Sequence, residues 1–598
     1  MKFLSLENKW FVWTTFSLLF IYLILRAILI KPYCDEASTL IDYIESPFLI
    51  EQIIRGTSAN NHLLNTLLGK FMYLFTGDNM FFLRIPNVLS FILYFFSIKF
   101  IVIKCILPKY QGLTFIALNT VAWIFEYFGY LRGYGLALGL LFCAITLFYS
   151  WTKNKVIYKF ILFLTFLWLS LFANLSFFNT SIILWCVGIV YILINLRDFK
   201  KQHIVIYFLV NIGYFVALYP LISYSLELKE AGALWWGSLI GIWDVSGFSL
   251  SIITLFVHND FVKNSIILLI ILIGILGLIK LKNIGFKEFI SSFEGIFYIL
   301  FIGNLVMIEI LAIFFKVNYP RDRAAVQLVL FLTITFILFI QKIKYINYLA
   351  YLLLFFPISF IYNLSVNSSV YQIDHRLSEP ISQYLKKNLK DESSYSYFGL
   401  LCNPAILELR KEKKMKLFNH EKYLNFVESS FLILESNFTP PPFYEFKMKD
   451  KISQVSIYEN TKIFKYKLVK DTIIKFYDSE NDILFFRQNE VDTLFTTNKF
   501  KVKISSEMTL SNYSLPLHLV LSLGDSIDPN RYYYDNAIEK LSKNKKDISI
   551  VWNSPIYTIE NDKKNLAIYF WNVEHKPIKY KNIRFKIYSV FESDIKLN

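Results

Sequence analysis

Residues 10–37 read WFVWTTFSLLFIYLILRAILIKPYCDEA. The apolar run 10–30 is long enough to cross a hydrocarbon core of about 30 Å as a helix. It is longer than the hydrophobic part of a signal peptide, and no small-x-small cleavage site follows at Lys31-Pro32-Tyr33, so it reads as a retained first span. The run then gives way at once to an acidic pair, Asp35-Glu36.

Working outward, similar runs recur at 81–103, 266–279, 296–315 and 326–340. The chain of 598 residues is 55% hydrophobic and only 18% charged, more apolar than a soluble enzyme of this size requires. The pattern predicts a polytopic α-helical membrane protein with about eleven spans, near 10–30, 81–103, 112–128, 134–151, 156–173, 177–196, 204–224, 264–281, 295–315, 324–341 and 345–362. With the N-terminus cytoplasmic, the inner loops carry Lys104 and Lys109, then Lys153, Lys155 and Lys159, then Arg197, Lys200 and Lys201, then Lys280, Lys282 and Lys287, then Lys342 and Lys344. Every inner loop is basic, as the positive-inside rule expects. The formal charge of +16 is therefore read as membrane topology plus a basic tail, not as a nucleic-acid face.

The other side receives the loop 31–80, the turns 129–133, 174–176 and 316–323, the aromatic loop 225–263, and everything after Tyr362. Within the first outer loop, 62–75 reads as an amphipathic helix too short to span, lying at the interface. Three domains are expected: 1–365 in the membrane, a mixed α/β segment at 366–440, and a β-rich region at 441–598. In the last, alternating stretches at 463–469, 483–487, 500–504, 518–523, 548–552, 566–571 and 583–590 read as strands of an extracytoplasmic β-sandwich. Pro440-Pro441-Pro442 marks the break before it. The five cysteines show no metal-ligand spacing; Cys34 and Cys402 could form a bridge, and two unpaired thiols are the expected reading.

Four groups of residues on the outer face can carry chemistry. Asp35-Glu36 can supply a general base for a hydroxyl nucleophile, or simply help the chain leave the bilayer. Asn61 and His62 start the interfacial helix, and Arg84 opens the next span, where snorkelling to the headgroups is the competing role. The third group is the turn from Glu126 to Gly135, with Arg132 and Tyr134, where glycines permit close approach and an arginine can grip phosphate. The fourth is the turn Asn318-Tyr319-Pro320-Arg321-Asp322-Arg323. Positive charge is least expected in an outer loop, so Arg321 and Arg323 point to an anionic ligand, with pairing to Asp322 as the structural alternative.

In this order the motifs resemble the GT-C superfamily, in particular the protein O-mannosyltransferases and lipid A aminoarabinose transferases. The residues that carry the resemblance are Asp35-Glu36 after the first span, His62 in an interfacial helix, Gly77-Asp78 with Leu83-Arg84-Ile85-Pro86, Arg132-Gly133-Tyr134, and Tyr319-Pro320-Arg321. It covers 10–224 well and little beyond. Where relatives carry His-Pro-Pro, this chain has His62-Leu63-Leu64. The resemblance implies an inverting glycosyltransferase that uses a polyprenyl-phosphate sugar lipid, with Asp35 as catalytic base and Glu36 as its neighbour or an acceptor ligand. It also implies donor-phosphate binding by Arg132, Arg321, Arg323 and Tyr319, and site-shaping or acceptor-binding roles for His62, Asn61, Arg84, Glu126 and Tyr134. No cofactor is implied; a divalent metal, if used, would need Asp35, Glu36, His62 and Glu126 to converge. The acceptor, whether lipid, polysaccharide or protein, is not legible, and a bacterial inner membrane is the expected location.

The rival class is a transporter or flippase of lipid-linked glycans, which would place ionisable groups near the middle of the bilayer on broken helices. Walker, GxGxxG, HExxH and nucleophile-elbow motifs do not occur in the sequence.

Overall fold

A computed structural model of the protein describes residues 6–45, 59–230, 232–234, 237, 241, 260–369, 378–388, 394–410, 416–419, 431–436, 438–440, 444–450, 454–479, 483–489, 497, 499–510, 517–523, 532–536, 547–553, 557–558, 565–572 and 578–594. Much of the aromatic loop, at 242–259, lies outside the described residues, as do Pro441 and Pro442. The chain forms two compact units, Met1–Ile373 and Asp374–Asn598.

The first unit is helical: α1 (Lys9–Leu29), α2 (Cys34–Ser38), α3 (Leu63–Thr76), α4 (Met80–Cys105), α5 (Pro108–Asn119), α6 (Ala122–Glu126), α7 (Gly133–Asn154), α8 (Ile157–Ala173), α9 (Phe178–Ile194), α10 (Lys201–Glu230), α11 (Asp260–Ile284), α12 (Phe286–Ile290), α13 (Phe293–Phe315), α14 (Val326–Ile340) and α15 (Phe355–Tyr362). Eight helical segments among the described residues are long and apolar enough to cross a membrane. The protein is thus a polytopic α-helical membrane protein. Helix α7 is buried over 72% of its apolar window and the segment Asp322–Ile340 over 89%, whereas α10 and α11 are buried over only 22% and 17%. The first two therefore form the core, and the last two offer their apolar side chains to lipid.

Three of the expected spans take a different form. The one at 112–128 is broken into α5, α6 and a 3-10 turn, Tyr127–Gly129. At the break, Thr120 Oγ1 and Asn119 Nδ2 donate to the carbonyls of Ile116 and Phe115, and the Thr120 N–H turns to Ala117. Polar side chains bonded back on the preceding turn compete with the helical ladder. The span at 345–362 is a 3-10 helix, Ile346–Leu354, followed by α15, and α8 has 17 residues. The interfacial helix expected at 62–75 is α3.

The second unit opens with α16 (Glu379–Asn388), α17 (Asn403–Arg410) and a five-stranded sheet. Its strands run in the order β2 (Lys416–Asn419), β1 (Ser394–Phe398), β3 (Phe431–Glu435), β5 (Val455–Asn460), β4 (Tyr444–Lys449), parallel from β2 to β3 and antiparallel beyond. Two antiparallel sheets follow. One is β10 (Tyr532–Asn536), β9 (Leu517–Leu523), β13 (Asn565–Asn572), β7 (Ile483–Asn489). The other is β11 (Asp547–Asn553), β8 (Lys499–Leu510), β14 (Ile578–Asp594), β6 (Lys462–Ser479), with the short β12 (Tyr557–Thr558) also paired to β8. All seven strands expected from alternation fall within these elements. On β14, Ile583, Phe585 and Ile587 are buried while Arg584 is exposed, the period-two pattern of a half-buried strand. Cys34 and Cys402 are both buried.

Candidate active site

Helix α1 ends at Leu29, and the chain turns through Lys31-Pro32-Tyr33 into α2, which carries Asp35 and Glu36 in its first turn. Consecutive residues on a helix lie about 100° apart, so the two carboxylates face different surroundings. Glu36 turns inward. It receives Nε and Nη2 of Arg84 at 2.8 and 2.6 Å, the backbone N–H of Leu131 at 2.6 Å, and the N–H of Tyr33. Arg84 Nη1 in turn donates to the carbonyls of Ala27 and Ile30, both 2.9 Å, at the C-terminal end of α1. Both side chains are fully buried. A buried ion pair is tolerable when its remaining lone pairs and protons are satisfied, and here they are. Arg84 is therefore not a snorkelling residue, and Glu36 is committed to holding together the end of α1, α2, α4 and the turn before α7.

Asp35 faces the other way, toward two arginines from distant parts of the chain. Its Oδ2 accepts from Nη1 of Arg323 and lies 3.9 Å from Nη2 of Arg132. Arg132 is oriented by the Asn60 side chain at 2.5 Å, the Asn60 carbonyl at 3.3 Å and Thr39 Oγ1 at 3.3 Å. Thr39 Oγ1 itself donates to the Asp35 carbonyl at 2.8 Å, which ties the arginine to the helix bearing the acid. Asn60 lies in the amide-rich stretch around His62, whereas Thr39 carries no local sequence signature that would have singled it out.

His62 caps the start of α3 and is 4% exposed. Its ring stands edge-on to Tyr134, centroids 4.9 Å apart, and among the described residues its Nε2 has no hydrogen-bond partner. Burial and the positive charges of Arg132 and Arg323 hold its pKa well below that of an ordinary histidine, against the smaller opposing pull of Asp35. Asn61 is a brace: its Oδ1 accepts from Thr66 Oγ1 at 2.7 Å. Two glycines make the close packing possible. A Cβ on Gly133 would meet the Ala173 carbonyl at 2.1 Å and His62 Cβ at 2.9 Å, and one on Gly135 would meet the Tyr127 carbonyl at 2.5 Å.

Glu126 belongs to a separate buried cluster. It accepts from Arg26 Nη2 and from Ser369 Oγ, at 2.6 and 2.8 Å. Arg26 also donates to Tyr130 OH at 2.9 Å and to the Ser365 and Ser368 carbonyls, and Tyr130 OH meets Tyr33 OH at 3.3 Å. Burial, reinforced by the Glu126 charge, raises the pKa of both tyrosines. Glu126 is thus a partner for Arg26 and does not join Asp35. Sequence reading passed over Arg26, although an arginine inside a span demands a partner.

Of the turn before α14, only Arg323 reaches the acid. The half-exposed Arg321 pairs with Asp322 at 3.4 Å, the structural alternative named above, and Tyr319 OH donates to Glu309 at 2.9 Å. Asp35, Glu36, His62 and Glu126 do not converge, since Glu36 and Glu126 each hold an arginine. Among the described residues no group of three or more His, Cys, Asp or Glu could hold a metal ion.

No family model matches the chain, and no curated protein does. Among solved structures it is similar to ArnT from Cupriavidus metallidurans bound to undecaprenyl phosphate, with a TM-score of 0.31 and 9% identity over 75% of this chain and 98% of that one. The apo state of the same protein gives 0.31 and 9%, over 74% and 98%. The arabinosyltransferase EmbB from Mycobacterium smegmatis gives 0.30 and 9%, over 96% of this chain and 64% of that one. Superpositions at this level assign no residue a role.

Proposed function

We propose that the chain is an inverting glycosyltransferase that moves a sugar from a polyprenyl-phosphate lipid to an acceptor at the extracytoplasmic face of the membrane. The observation that carries this reading is the buried Asp35 carboxylate just after the first span, flanked by two arginines that arrive from the turns before α7 and α14. An acid and two fixed guanidiniums at a membrane boundary suit a reaction in which a hydroxyl loses a proton while a phosphate leaves.

Asp35 takes the proton of the acceptor hydroxyl as its oxygen forms a bond to the anomeric carbon from the face opposite the phosphate. The bond from that carbon to the phosphate oxygen breaks, and its electron pair stays on the phosphate, where Arg132 and Arg323 meet the growing charge. Donor phosphate competes with Asp35 for Arg323, so donor binding would also free the carboxylate to act as a base. Arg321 and Tyr319 stay outside this scheme because their groups are engaged elsewhere.

The transporter or flippase reading is less well supported. The buried Arg26, Asp35, Glu36, Arg84, Glu126 and Arg132 all lie at or near helix ends and not at mid-span.

The test uses purified full-length protein in detergent, radiolabelled polyprenyl-phosphate sugars and a membrane extract as acceptor source. Asp35→Asn is expected to lower transfer by about 100- to 10,000-fold, the usual worth of a positioned general base, while lipid binding persists. Binding without transfer by the wild type across several sugars, together with movement of lipid across vesicles, would favour the carrier instead.

A further inference from the structure

Arg132 and Arg323 both have partners at the site, whereas among the described residues one nitrogen of His62 does not. His62 is buried, and its Nε2 meets no hydrogen-bond partner among the described residues. An unsatisfied buried polar atom costs free energy unless something else satisfies it. The position is not a loose one. His62 caps α3, its Cβ sits where only a glycine at 133 leaves room, and its ring is held edge-on by Tyr134.

We propose that His62 Nε2 is a hydroxyl-binding group of the site, contacting either the transferred sugar or the acceptor, and that it does not bind the phosphate. This inference rests on the glycosyl-transfer reading and deepens it. Arg132 and Arg323 already supply the cations a phosphate requires, and a third cation beside them is unfavourable. Burial, and after it those same arginines, disfavour the charged imidazole. An uncharged imidazole offers one donor and one acceptor nitrogen, the complement of a neutral hydroxyl. The Asp35 charge acts on this imidazole, so the hydroxyl assigned to Nε2 is one on the acceptor near the reacting oxygen or one on the transferred sugar.

The experiment compares full-length wild type, His62→Phe and His62→Gln in detergent. Phe keeps a ring against Tyr134 and removes both nitrogens, while Gln restores a donor and an acceptor. Three readings are taken: affinity for undecaprenyl phosphate without sugar, affinity for undecaprenyl-phosphate hexose and pentose, and the dependence of transfer on membrane-extract concentration at saturating donor. His62→Phe is expected to bind undecaprenyl phosphate as the wild type does. One of the two sugar-dependent readings then weakens by about 3- to 10-fold, the scale of a lost neutral hydrogen bond, and Gln recovers part of it. A change in donor affinity assigns the hydroxyl to the transferred sugar, and a change confined to the extract dependence assigns it to the acceptor.

Weakened binding of undecaprenyl phosphate itself would overturn the proposal, as would wild-type behaviour of His62→Phe in all three readings. If His62→Phe does not elute and melt like the wild type, His62→Met carries the same comparison. Failure of the wild type to bind or transfer any donor would remove the glycosyl-transfer reading, and this inference with it, whereas transfer by wild type and His62→Phe alike removes this inference alone.

Discussion

At the scale of single residues, the turn before α14 separates two arginines that the sequence treats alike. Arg321 and Arg323 both appear as unexpected positive charge in an outer loop, but their surroundings differ. Arg321 is half exposed and paired with its neighbour Asp322, whereas Arg323 is largely covered and reaches Asp35 from 288 residues away. Arg321→Ala is therefore expected to leave undecaprenyl phosphate binding close to wild type, since exposed ion pairs contribute little. Arg323→Ala is expected to weaken binding by about 10-fold or more, in line with loss of a charge-assisted contact of roughly 1.5–3 kcal/mol. Titration with labelled lipid in detergent checks both, and equal losses in the two variants would mean that the turn acts as a diffuse basic patch. The acids show the same limit of sequence reading. Asp35 and Glu36 are adjacent, and nothing local says which faces Arg132 and Arg323; the answer depends on Arg84, 48 residues away in the chain. Sequence could place acids and arginines on one side of the membrane, but not assign their partners.

At the scale of elements, the Glu36–Arg84 pair is a joint. Through the carbonyls of Ala27 and Ile30, the start of α2, the body of α4 and the N–H of Leu131, it fixes where α1 ends and where the turn bearing Arg132 begins. Glu36→Gln leaves the Arg84 charge buried without its counter-ion, and breaking a buried pair in this way costs about 3–5 kcal/mol. A large fall in melting temperature in detergent is expected. The double variant Glu36→Gln/Arg84→Met is expected to regain part of it, because the stranded charge is gone. A Glu36→Gln protein that melted like the wild type and lost only transfer would instead make Glu36 a catalytic residue. The elements themselves were largely legible, since a span or an alternating strand is written in local hydropathy. The break between α5 and α6 was not, because it depends on Asn119 and Thr120 bonding back to the chain inside an otherwise apolar run.

At the scale of the whole molecule, charge pairing at the ends of the helices sorts the loops into two groups. Lys155 and Lys287 share Asp198, Lys342 pairs with Glu294, and Gln341 bonds the backbone at Cys105 and Leu107. These loops therefore lie together at one end of the helical unit, and they are the lysine-bearing loops expected inside. The segments around 35–39, 60–62, 131–134 and 323 meet at the site. The positive-inside rule predicts that the lysine end lies inside. In a cysteine-free background, a membrane-impermeant maleimide applied to intact cells is expected to label Arg321→Cys and to spare Lys153→Cys until the membrane is opened. The opposite pattern would put Asp35 on the cytoplasmic side, where nucleotide sugars are available and a lipid-linked donor is no longer needed to explain the site. Orientation thus bears directly on chemistry, because the same acid and arginines call for a lipid-borne sugar only if they face away from the cytoplasm.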